Sequence, residues 1–490
     1  MKQTLLRYVE EFNARDEEYY KQDIPNAAAA EFLLENIPYI DIPDKEMERT
    51  YYFRWWTLRK HIKSTEDGTV ITEFLPPVPW AGKHNTIVAA AGHHIAEAKW
   101  LKCGQGLIED YVALWLSEQG DSYAYGSWLL YAIYEYCRHV GNDCLGVRNL
   151  SAMCRYYEKM EREHLTDCGL FWSIDGEDAM EFSISGTDEN LTLTRGLRPT
   201  LNCYMAANAF AIAYFAEAAG AQEIAACYRE KHKALREKIN ALLWDGTFYK
   251  AIHNADLSPD FEKLPALQNA KELVGYLPWS FGLAEAGRDG AFAELKKEEG
   301  FLSPYGLTTA EKRHPRYLFE MKHECLWNGY IWPFATSQVL SAMERLLTEY
   351  TQDTVTKEDY YAVLRSYAES HVRTTESGER VPWIDEVMHP ETGVWSCREI
   401  LKNKGWVKEL GGLERGKDYN HSVFCDAVLG GLLGIRPKNG EIAVSPRVPD
   451  DWEYFAVENL AIGDRRYRVI YDKTGGKYGR GLQILEESGE

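Results

Sequence analysis

Apolar residues recur at three- and four-residue steps through most of this 490-residue chain, and that spacing is the period of an amphipathic helix. The clearest example begins after Arg198, where Pro199 suits a first helical turn and Gly220 suits a helix end. The pattern predicts a mainly α fold of long antiparallel helices joined by functional loops. The segments with this period lie near 122–139, 147–165, 199–219, 222–243, 330–347, 357–372 and 421–433.

The end of the chain has a different pattern. Residues 442–445 and 467–471 alternate apolar and polar side chains in the way of strands, with turn residues around them. We therefore expect a helical body over residues 1–435 and a small β-rich appendage over 436–490 that packs on it. Residues 66–86, rich in Pro and Gly, are predicted to form a long ordered loop, a common place for binding residues.

The charge balance restricts the partners of the chain. It has 75 acidic against 55 basic residues, a net charge of -20, which disfavours nucleic acid or an anionic membrane as the main partner. A neutral, hydroxyl-rich ligand remains compatible with this charge. Aromatic residues make up 13% of the chain, with 15 Trp and 31 Tyr, and such rings suit the apolar faces of sugars as well as a core.

Ten cysteines are scattered without C-x-x-C pairs. This pattern indicates reduced, buried thiols in a cytoplasmic protein. The N-terminal residues turn polar too early for a signal peptide, and no stretch is apolar for long enough to span a bilayer. We expect a soluble cytoplasmic protein, and its oligomeric state stays open.

A first acidic segment places Asp175, Glu177, Asp178 and Glu181 within seven residues. One interpretation is a solvated acidic loop. However, aromatic and aliphatic side chains such as Trp172 lie between the acids, and these would draw the loop toward the interior. Burial raises the pKa of a carboxyl group, as a general acid at neutral pH requires. We therefore favour a functional loop.

A second acidic segment contains Asp385 and Glu386 between Trp383 and Trp395, with a turn signature at residues 390–393. The two acids could simply stabilise that turn, but the flanking tryptophans are typical of a sugar subsite. Cleaving a sugar acetal requires one carboxylic acid to protonate the leaving oxygen and one carboxylate to activate water. The two segments together indicate a glycoside hydrolase, with Glu386 preferred to Asp385 only weakly on the residues alone.

Candidate binding residues lie around both acidic segments and in the aromatic segment 323–333. Helix capping, core packing or a satisfied structural histidine would explain several of them equally well. Adjacent His323 and Glu324 make a poor chelate, and the chain has no Walker lysine loop, dinucleotide fingerprint or H-E-x-x-H, so we expect no metal and no cofactor. The candidates are Trp80, Asn85, Trp172, Arg198, Asn202, Tyr204, Glu324, Trp327, Asn328, Trp332, Trp383 and His421.

The order of three motifs resembles the (α/α)6-barrel glycoside hydrolases of the mannosylglycerate hydrolase-like group, which is related to family 63. The motifs are residues 179–183, 327–333 and 386–393, and the resemblance covers roughly residues 40–435. It implies a six-hairpin toroid with Glu386 as the general base. The general acid of the group is usually Asp, so Glu181 at that place is a departure, and Asp178 is kept as the rival acid. The early Trp-Asp motif of this clan has no clear counterpart here.

The resemblance implies an inverting hydrolase that cleaves an α-linked oligosaccharide or a small α-glycoside without a cofactor. Two other classes of function stay open. A carbohydrate-binding toroid would keep the aromatic cleft without catalysis. A sugar epimerase or lyase on the same fold would depend on histidine pairs, with His323, His389 and His421 as candidates.

Overall fold

Helices form most of the regular structure in this computed structural model, which describes residues 1–188, 190–253 and 269–487. Their bounds agree with the predicted helices near 147–165, 199–219, 222–243 and 357–372 to within a few residues. The α-helices are α1 (Lys2–Asn13), α2 (Asn26–Asn36), α3 (Lys45–His61), α4 (Val88–Ala98), α5 (Gly104–Leu116), α6 (Leu129–Val140), α7 (Cys144–His164), α8 (Pro199–Ala218), α9 (Gln222–Leu242), α10 (Leu277–Ser280), α11 (Pro333–Glu349), α12 (Lys357–Glu369) and α13 (Ser396–Asn403).

Two predicted helices begin later than expected. The segment predicted from 122 becomes helical only at Leu129. The segment predicted from 421 contains a short π-helix, Ala427–Leu432. Here the Glu97 carboxylate accepts hydrogen bonds from the backbone N–H groups of Phe424, Cys425 (2.9 Å) and Asp426 (3.0 Å). A carboxylate on these otherwise unpaired donors sets the helix start, and Glu97 is too distant in sequence for a local pattern to indicate it.

The helices pack in two layers. Buried helix α8 begins at Pro199 in its first turn and is followed by Gly220 with φ of 74°, as the sequence predicted. Side chains of α8 are buried around most of its circumference, whereas α9 buries few. The buried helices contact one another in chain order, α4 on α6, α6 on α8, α8 on α10 and α10 on α11, while α7, α9 and α12 pack outside them.

Short strands connect the helices, and longer ones lie near the end of the chain. The predicted strand segments near 442–445 and 467–471 correspond to β12 and β14. The strands are β1 (Tyr39–Asp41), β2 (Ile62–Thr65), β3 (Gly68–Ile71), β4 (Trp172–Ser173), β5 (Gly196–Leu197), β6 (Ile252–His253), β7 (Leu302–Ser303), β8 (Gly306–Leu307), β9 (Val372–Thr374), β10 (Arg380–Pro382), β11 (Ile435–Lys438), β12 (Glu441–Val444), β13 (Tyr454–Ile462), β14 (Arg465–Asp472) and β15 (Gly481–Glu487).

The C-terminal strands pair with the N-terminal part of the chain. The sheet order is β1-β13-β14-β15, and Tyr39 of β1 lies opposite Glu458 of β13 in antiparallel register. The division at residue 435 stays a prediction, and residues 488–490 of the predicted appendage lie outside the described residues. The predicted loop 66–86 was wrong at its start, because Gly68, with φ of 105°, turns β2 tightly into β3.

The cysteines are all unpaired, but Cys103, Cys144 and Cys227 are exposed, which corrects the expectation of uniformly buried thiols. His93 and His94 are both buried on α4. In the described ranges, no helix combines the length and the apolar character that a bilayer crossing requires.

A buried ion network ties distant segments together. The Lys60 ammonium on α3 donates to Asp16 and to Asp418, each at 2.7 Å, and Lys417 donates to the other oxygen of Asp16 at 2.7 Å. Lys60 is 1% exposed. Since both acids lie in loops, this network fixes the N-terminal loop and the segment around residue 418 against the same helix.

Lys60→Met is expected to lower the free energy of unfolding by about 3–5 kcal/mol, because it leaves two buried carboxylates without their shared cation. Lys402→Met is the matched control, since Lys402 pairs with Glu376 at 2.6 Å on the surface and such a pair contributes about 0–1 kcal/mol. Urea unfolding of both variants measures the difference. Equal losses would contradict a structural role of the network.

Candidate active site

The loop between β4 and β5 turns back sharply around Glu181. Ala179 and Phe182 take left-handed backbone conformations, with φ of 56° and 59°, and the N–H of Met180 donates to the carbonyl of Asp175 at 2.8 Å. The Met180 side chain is 1% exposed. The next side chain, Glu181, is only partly buried. The loop thus directs Met180 into the core and leaves Glu181 accessible.

A buried arginine holds this loop in place. Arg198, the residue before α8, donates from Nε to Asp178 Oδ2 at 2.6 Å, and its Nη1 and Nη2 atoms reach Ser185 Oγ at 3.0 Å and Ser183 Oγ at 3.2 Å. The Thr200 hydroxyl donates to the same oxygen of Asp178. The side chains of Arg198 and Asp178 are 1% and 0% exposed, so both predicted residues anchor the loop from the inside.

Glu181 has an environment that favours its protonated form. Burial, assisted by repulsion from Glu386, raises the pKa of Glu181 to about 7. The carbonyl of Glu181 accepts a hydrogen bond from the Trp327 N–H at 3.1 Å. This bond joins the first acidic loop to the aromatic segment that the sequence singled out.

Glu386 is held by three donors. Its carboxylate accepts from Cys325 Sγ on Oε1 and from Cys397 Sγ on Oε2, both at 2.9 Å, and Arg415 Nη2 also donates to Oε2. Glu386 is 3% exposed. Burial, above all, and repulsion from Glu386 raise the pKa values of both thiols, so the thiols keep their protons and act as donors.

Asp385, the sequence alternative to Glu386, is bonded within its own segment. Its Oδ1 accepts from the Glu386 N–H at 2.8 Å and its Oδ2 from Trp383 Nε1 at 3.2 Å. The side chain is fully buried, and burial raises its pKa to about 7. A Cβ atom at Gly416 would lie 1.9 Å from Oδ1, so glycine is required there. Asp385 orients the backbone of Glu386.

Arg415 was missed by the sequence analysis. Besides Glu386, its guanidinium lies 5.2 Å from the Trp80 ring and 3.6 Å from Glu324, so two predicted binding residues join the Glu386 site through it. Glu324 also binds Lys404 at 2.9 Å. The Gly-rich run around Arg415 was the available signal, since such runs let a backbone approach closely.

Glu73 is a third carboxyl group near Glu181 and Glu386, and it was also missed. It is 5% exposed, and its Oε1 accepts from the Tyr419 hydroxyl. Burial comes first among the causes that raise its pKa to about 8, and repulsion by Glu386 and Glu181 contributes. Its position in the predicted binding loop 66–86 was the only signal.

An aromatic wall borders Glu181 and Glu73, and it consists of Trp327, Trp332, His421 and Tyr419. Trp327 and Trp332 stack with ring centroids 4.4 Å apart, and the Trp332 ring lies 5.9 Å from His421. The His421 ring in turn lies 3.9 Å from Tyr419, the partner of Glu73. The structure therefore brings three predicted residues, Trp327, Trp332 and His421, into one contact chain that leads to Glu73.

Four other predicted binding residues are bonded within the protein. Asn202 pairs with both the N–H and the carbonyl of Phe171, at 2.7 and 2.8 Å. The Tyr204 hydroxyl accepts from Gln338 at 2.7 Å. The amide of Asn85 binds backbone atoms of its own loop, and Asn328 donates to the Phe319 carbonyl at 2.8 Å. These contacts order the loops.

The two remaining tryptophans each lie against a guanidinium. Arg195 is 4.1 Å from the Trp172 ring, and Arg373 is 4.2 Å from the Trp383 ring. Cation–π contacts of this kind fix a ring orientation. Trp172 is partly exposed, whereas Trp383 is buried.

The histidines considered for an epimerase lie against different rings. His323 packs on Phe182 with ring centroids 4.9 Å apart, and His389 packs on Tyr330 at 5.6 Å. His421 is part of the aromatic wall. These three candidates therefore contact different rings, although His421 also lies near His93 and His94.

A group of side chains that could hold a metal ion is Glu66, Asp67 and His84. The Lys83 ammonium lies 3.0 Å from Glu66 and 2.6 Å from Asp67, so a cation of the chain already binds both acids. A cavity of about 480 Å³ lies between α4, α6 and α11, and neither Glu181 nor Glu386 lines it. This cavity is therefore separate from the acid cluster formed by Glu73, Glu181 and Glu386.

Cys397→Ala is expected to destabilise the protein by about 1.5–3 kcal/mol more than Cys203→Ala, because it removes a hydrogen bond to a buried charge. Both cysteines are fully buried, so Cys203 controls for the loss of volume. Cys397→Ser keeps a donor and is expected to recover most of the difference in urea unfolding. A Ser variant as unstable as the Ala variant would show that packing, not hydrogen bonding, is the role of the thiol.

The solved structures that resemble this chain include the following three. A protein named Sialidase is 32% identical over 99% of this chain, with a TM-score of 0.88, and the chain spans 43% of that protein. The family 78 rhamnosidase of a Bacillus species is 14% identical, with a TM-score of 0.57, over 89% of this chain and 40% of its own. The family 63 mannosylglycerate hydrolase of Thermus thermophilus in complex with glucose is 11% identical, with a TM-score of 0.50, over 78% of this chain and 99% of its own.

The two more distant structures, glycosidases of families 78 and 63, show a likeness of fold alone. Residues 83–422 match the mannosylglycerate hydrolase MGH1-like glycoside hydrolase domain, and this match includes both acidic segments and the aromatic wall. It confirms the resemblance that the three motifs indicated. The chain belongs to the mannosylglycerate hydrolase MGH1-like glycoside hydrolase family.

Proposed function

We propose that this chain is an inverting glycoside hydrolase that cleaves an α-linked oligosaccharide or a small α-glycoside. The observation that carries the proposal is the contrast between two neighbouring carboxyl groups. Burial and repulsion raise the pKa of Glu181 to about 7, whereas Glu386 is bound to the Arg415 cation. Environments that favour opposite proton states in one site are typical of an acid and base pair.

Glu181 is the better candidate for the general acid. Asp178 is enclosed in its ion pair with Arg198, and its side chain is 0% exposed, so a substrate oxygen would have to displace that pair. Glu181 remains partly exposed at the turn of the loop. A general acid must come within hydrogen-bond distance of the leaving oxygen, and accessibility therefore supports Glu181.

The proposed reaction is a single displacement. Glu181 gives its proton to the glycosidic oxygen as the bond from that oxygen to the anomeric carbon breaks. Glu386 takes a proton from a water molecule, whose oxygen bonds to the anomeric carbon from the opposite face. Inversion of this kind uses carboxyl groups about 6.5–9.5 Å apart. Arg415, Cys325 and Cys397 would hold the base in one orientation.

The remaining features of the proposal follow from the family and the packing. The chain-order contacts of the buried helices and membership of the family support an (α/α)6 toroid with the acids in loops at one end. Hydrolysis by two carboxyl groups requires no redox cofactor. The unpaired state of the ten cysteines supports a reducing, cytoplasmic location.

Glu386→Gln is expected to lower kcat by at least about 100-fold on the active substrate, because an amide cannot accept the proton of water. A panel of α-linked disaccharides and methyl α-glycosides, followed by proton NMR, identifies the substrate and the anomer released first. Glu10→Gln, an exposed change on α1, is the control with unchanged rate. Immediate release of the α anomer would contradict inversion, and isomerised or unsaturated sugar would indicate an epimerase or lyase.

The activity is expected to fall as pH rises above about 7, because the proposed acid, Glu181, acts only while protonated and its pKa is about 7. Glu181→Gln should lower kcat by roughly 100-fold to 10,000-fold and remove this alkaline limb of the kcat profile. A steady-state pH series on both proteins is the measurement. An alkaline limb that persists in the variant would assign it to another group.

A further inference from the structure

Glu73 lies beside the proposed acid and base although neither acidic motif contains it. Its neighbour Phe74 packs on Tyr419, with ring centroids 4.8 Å apart, and the Arg415 guanidinium that binds Glu386 lies 5.9 Å from the Phe74 ring. The backbone of Glu73 is held on both sides, since its N–H donates to Asn85 at 3.3 Å and its carbonyl accepts from Asn420 at 3.1 Å. The position of Glu73 is therefore well determined.

Several buried polar atoms near Glu73 have no side-chain partner within the described residues. They are Oε2 of Glu73 and Nε1 of Trp327, together with the ring nitrogens of His421, which interact only with the backbone of Tyr419. Leaving such atoms unpaired lowers the stability of the folded protein, and unpaired groups in a native structure require an explanation. These atoms belong to one contact chain, in which Tyr419 lies on His421, His421 on Trp332 and Trp332 on Trp327.

These groups are mainly hydrogen-bond donors near neutral pH. Burial and the repulsion of Glu386 and Glu181 raise the pKa of Glu73 to about 8, so its free oxygen can carry a proton. Burial lowers the pKa of His421, which leaves a neutral ring with one donor and one acceptor. The Trp327 indole only donates. A ligand for this place must offer several acceptor oxygens.

We propose that Glu73, as a neutral carboxylic acid, donates a hydrogen bond to a hydroxyl oxygen of the sugar next to the scissile bond, with His421 and Trp327 completing the subsite. This rests on the proposed function. Two cations at the acid cluster, Arg415 and Lys404, are bound to Glu386 and Glu324. An anionic sugar would enter beside Glu73, Glu181 and Glu386, and both of these cations already bind a carboxylate, so its entry is costly. The subsite therefore selects an uncharged, hydroxyl-rich sugar.

The test measures binding rather than turnover, so that it stays separate from the proposed hydrolysis. Glu181→Gln serves as the background, because it removes the nearby carboxyl group with a pKa of about 7. Methyl α-glucoside, α-mannoside and α-galactoside are titrated by calorimetry between pH 6 and pH 9, with methyl α-glucuronide and N-acetylneuraminic acid as acidic probes. Glu73→Gln and Glu73→Ala are added to the background, and Glu48→Gln, another buried glutamate, is the control.

At least one neutral glycoside is expected to bind, with affinity that falls about tenfold as pH rises past the pKa of Glu73. Glu73→Gln keeps a neutral donor and should bind without that fall. Glu73→Ala should bind about tenfold more weakly at low pH. Three tyrosines also face Glu73, namely Tyr111, Tyr125 and Tyr419, and burial raises their pKa values further above 10. His421 is neutral over this pH range because burial lowers its pKa, and Glu181 is absent from the background. Glu386 is unchanged in every variant, so it affects all of the pH profiles equally.

Three results would overturn the subsite. A Gln variant as weak as the Ala variant at every pH would show that Glu73 accepts as a carboxylate. Unchanged affinity in both variants would make Glu73 purely structural, and tighter binding of the acidic probes would assign the site to an anionic sugar. A folding readout accompanies binding: because a raised carboxyl pKa makes stability fall between about pH 4.5 and pH 8, Glu73→Gln should flatten that fall. An unchanged slope would mean that Glu73 is not protonated.

Discussion

The buried contact between Arg415 and Glu386 organises the candidate active site. A guanidinium that is almost fully enclosed is stable only if carboxylates, sulfur atoms and ring faces replace the water it has lost. In this chain the replacements come from separate segments: Glu386, Glu324, the thiol of Cys397 at 3.0 Å and the ring of Trp80. These segments must assemble together, because each one alone would leave the charge unsolvated.

A buried arginine also holds the first acidic loop, but it binds Asp178 and not Glu181. Arg198 neutralises Asp178 inside the loop, and Glu181 is left without a cation in direct contact among the described residues. One arginine therefore secures a loop whose acid, Glu181, has a raised pKa, while the other binds its acid, Glu386, directly. The two glutamates differ in environment because of where each arginine is placed.

The parts of the structure that the sequence predicted are those determined locally. Helices such as α8 follow from side-chain spacing, a first-turn proline and a terminal glycine, all within some twenty residues. The acidic loops were recognisable because aromatic side chains lie among their charges. Glu73 and Arg415 were not recognisable, because their importance arises from contacts between segments far apart, such as the bond from Tyr419 to Glu73, 346 residues away. The same holds for Glu97, which starts the last helix 327 residues further along.

The pairing of β1 with β13 has a consequence for how the molecule is made. Asp41, at the end of β1, accepts a hydrogen bond from Tyr478, which leaves the ribosome 437 residues later. The edge of β1 therefore stays unpaired until β13 has been made. Contacts of such long sequence separation form late and slow folding, and unpaired edges of this kind attract other chains. The N-terminal strand can therefore complete its sheet only after the C-terminal strands have been made.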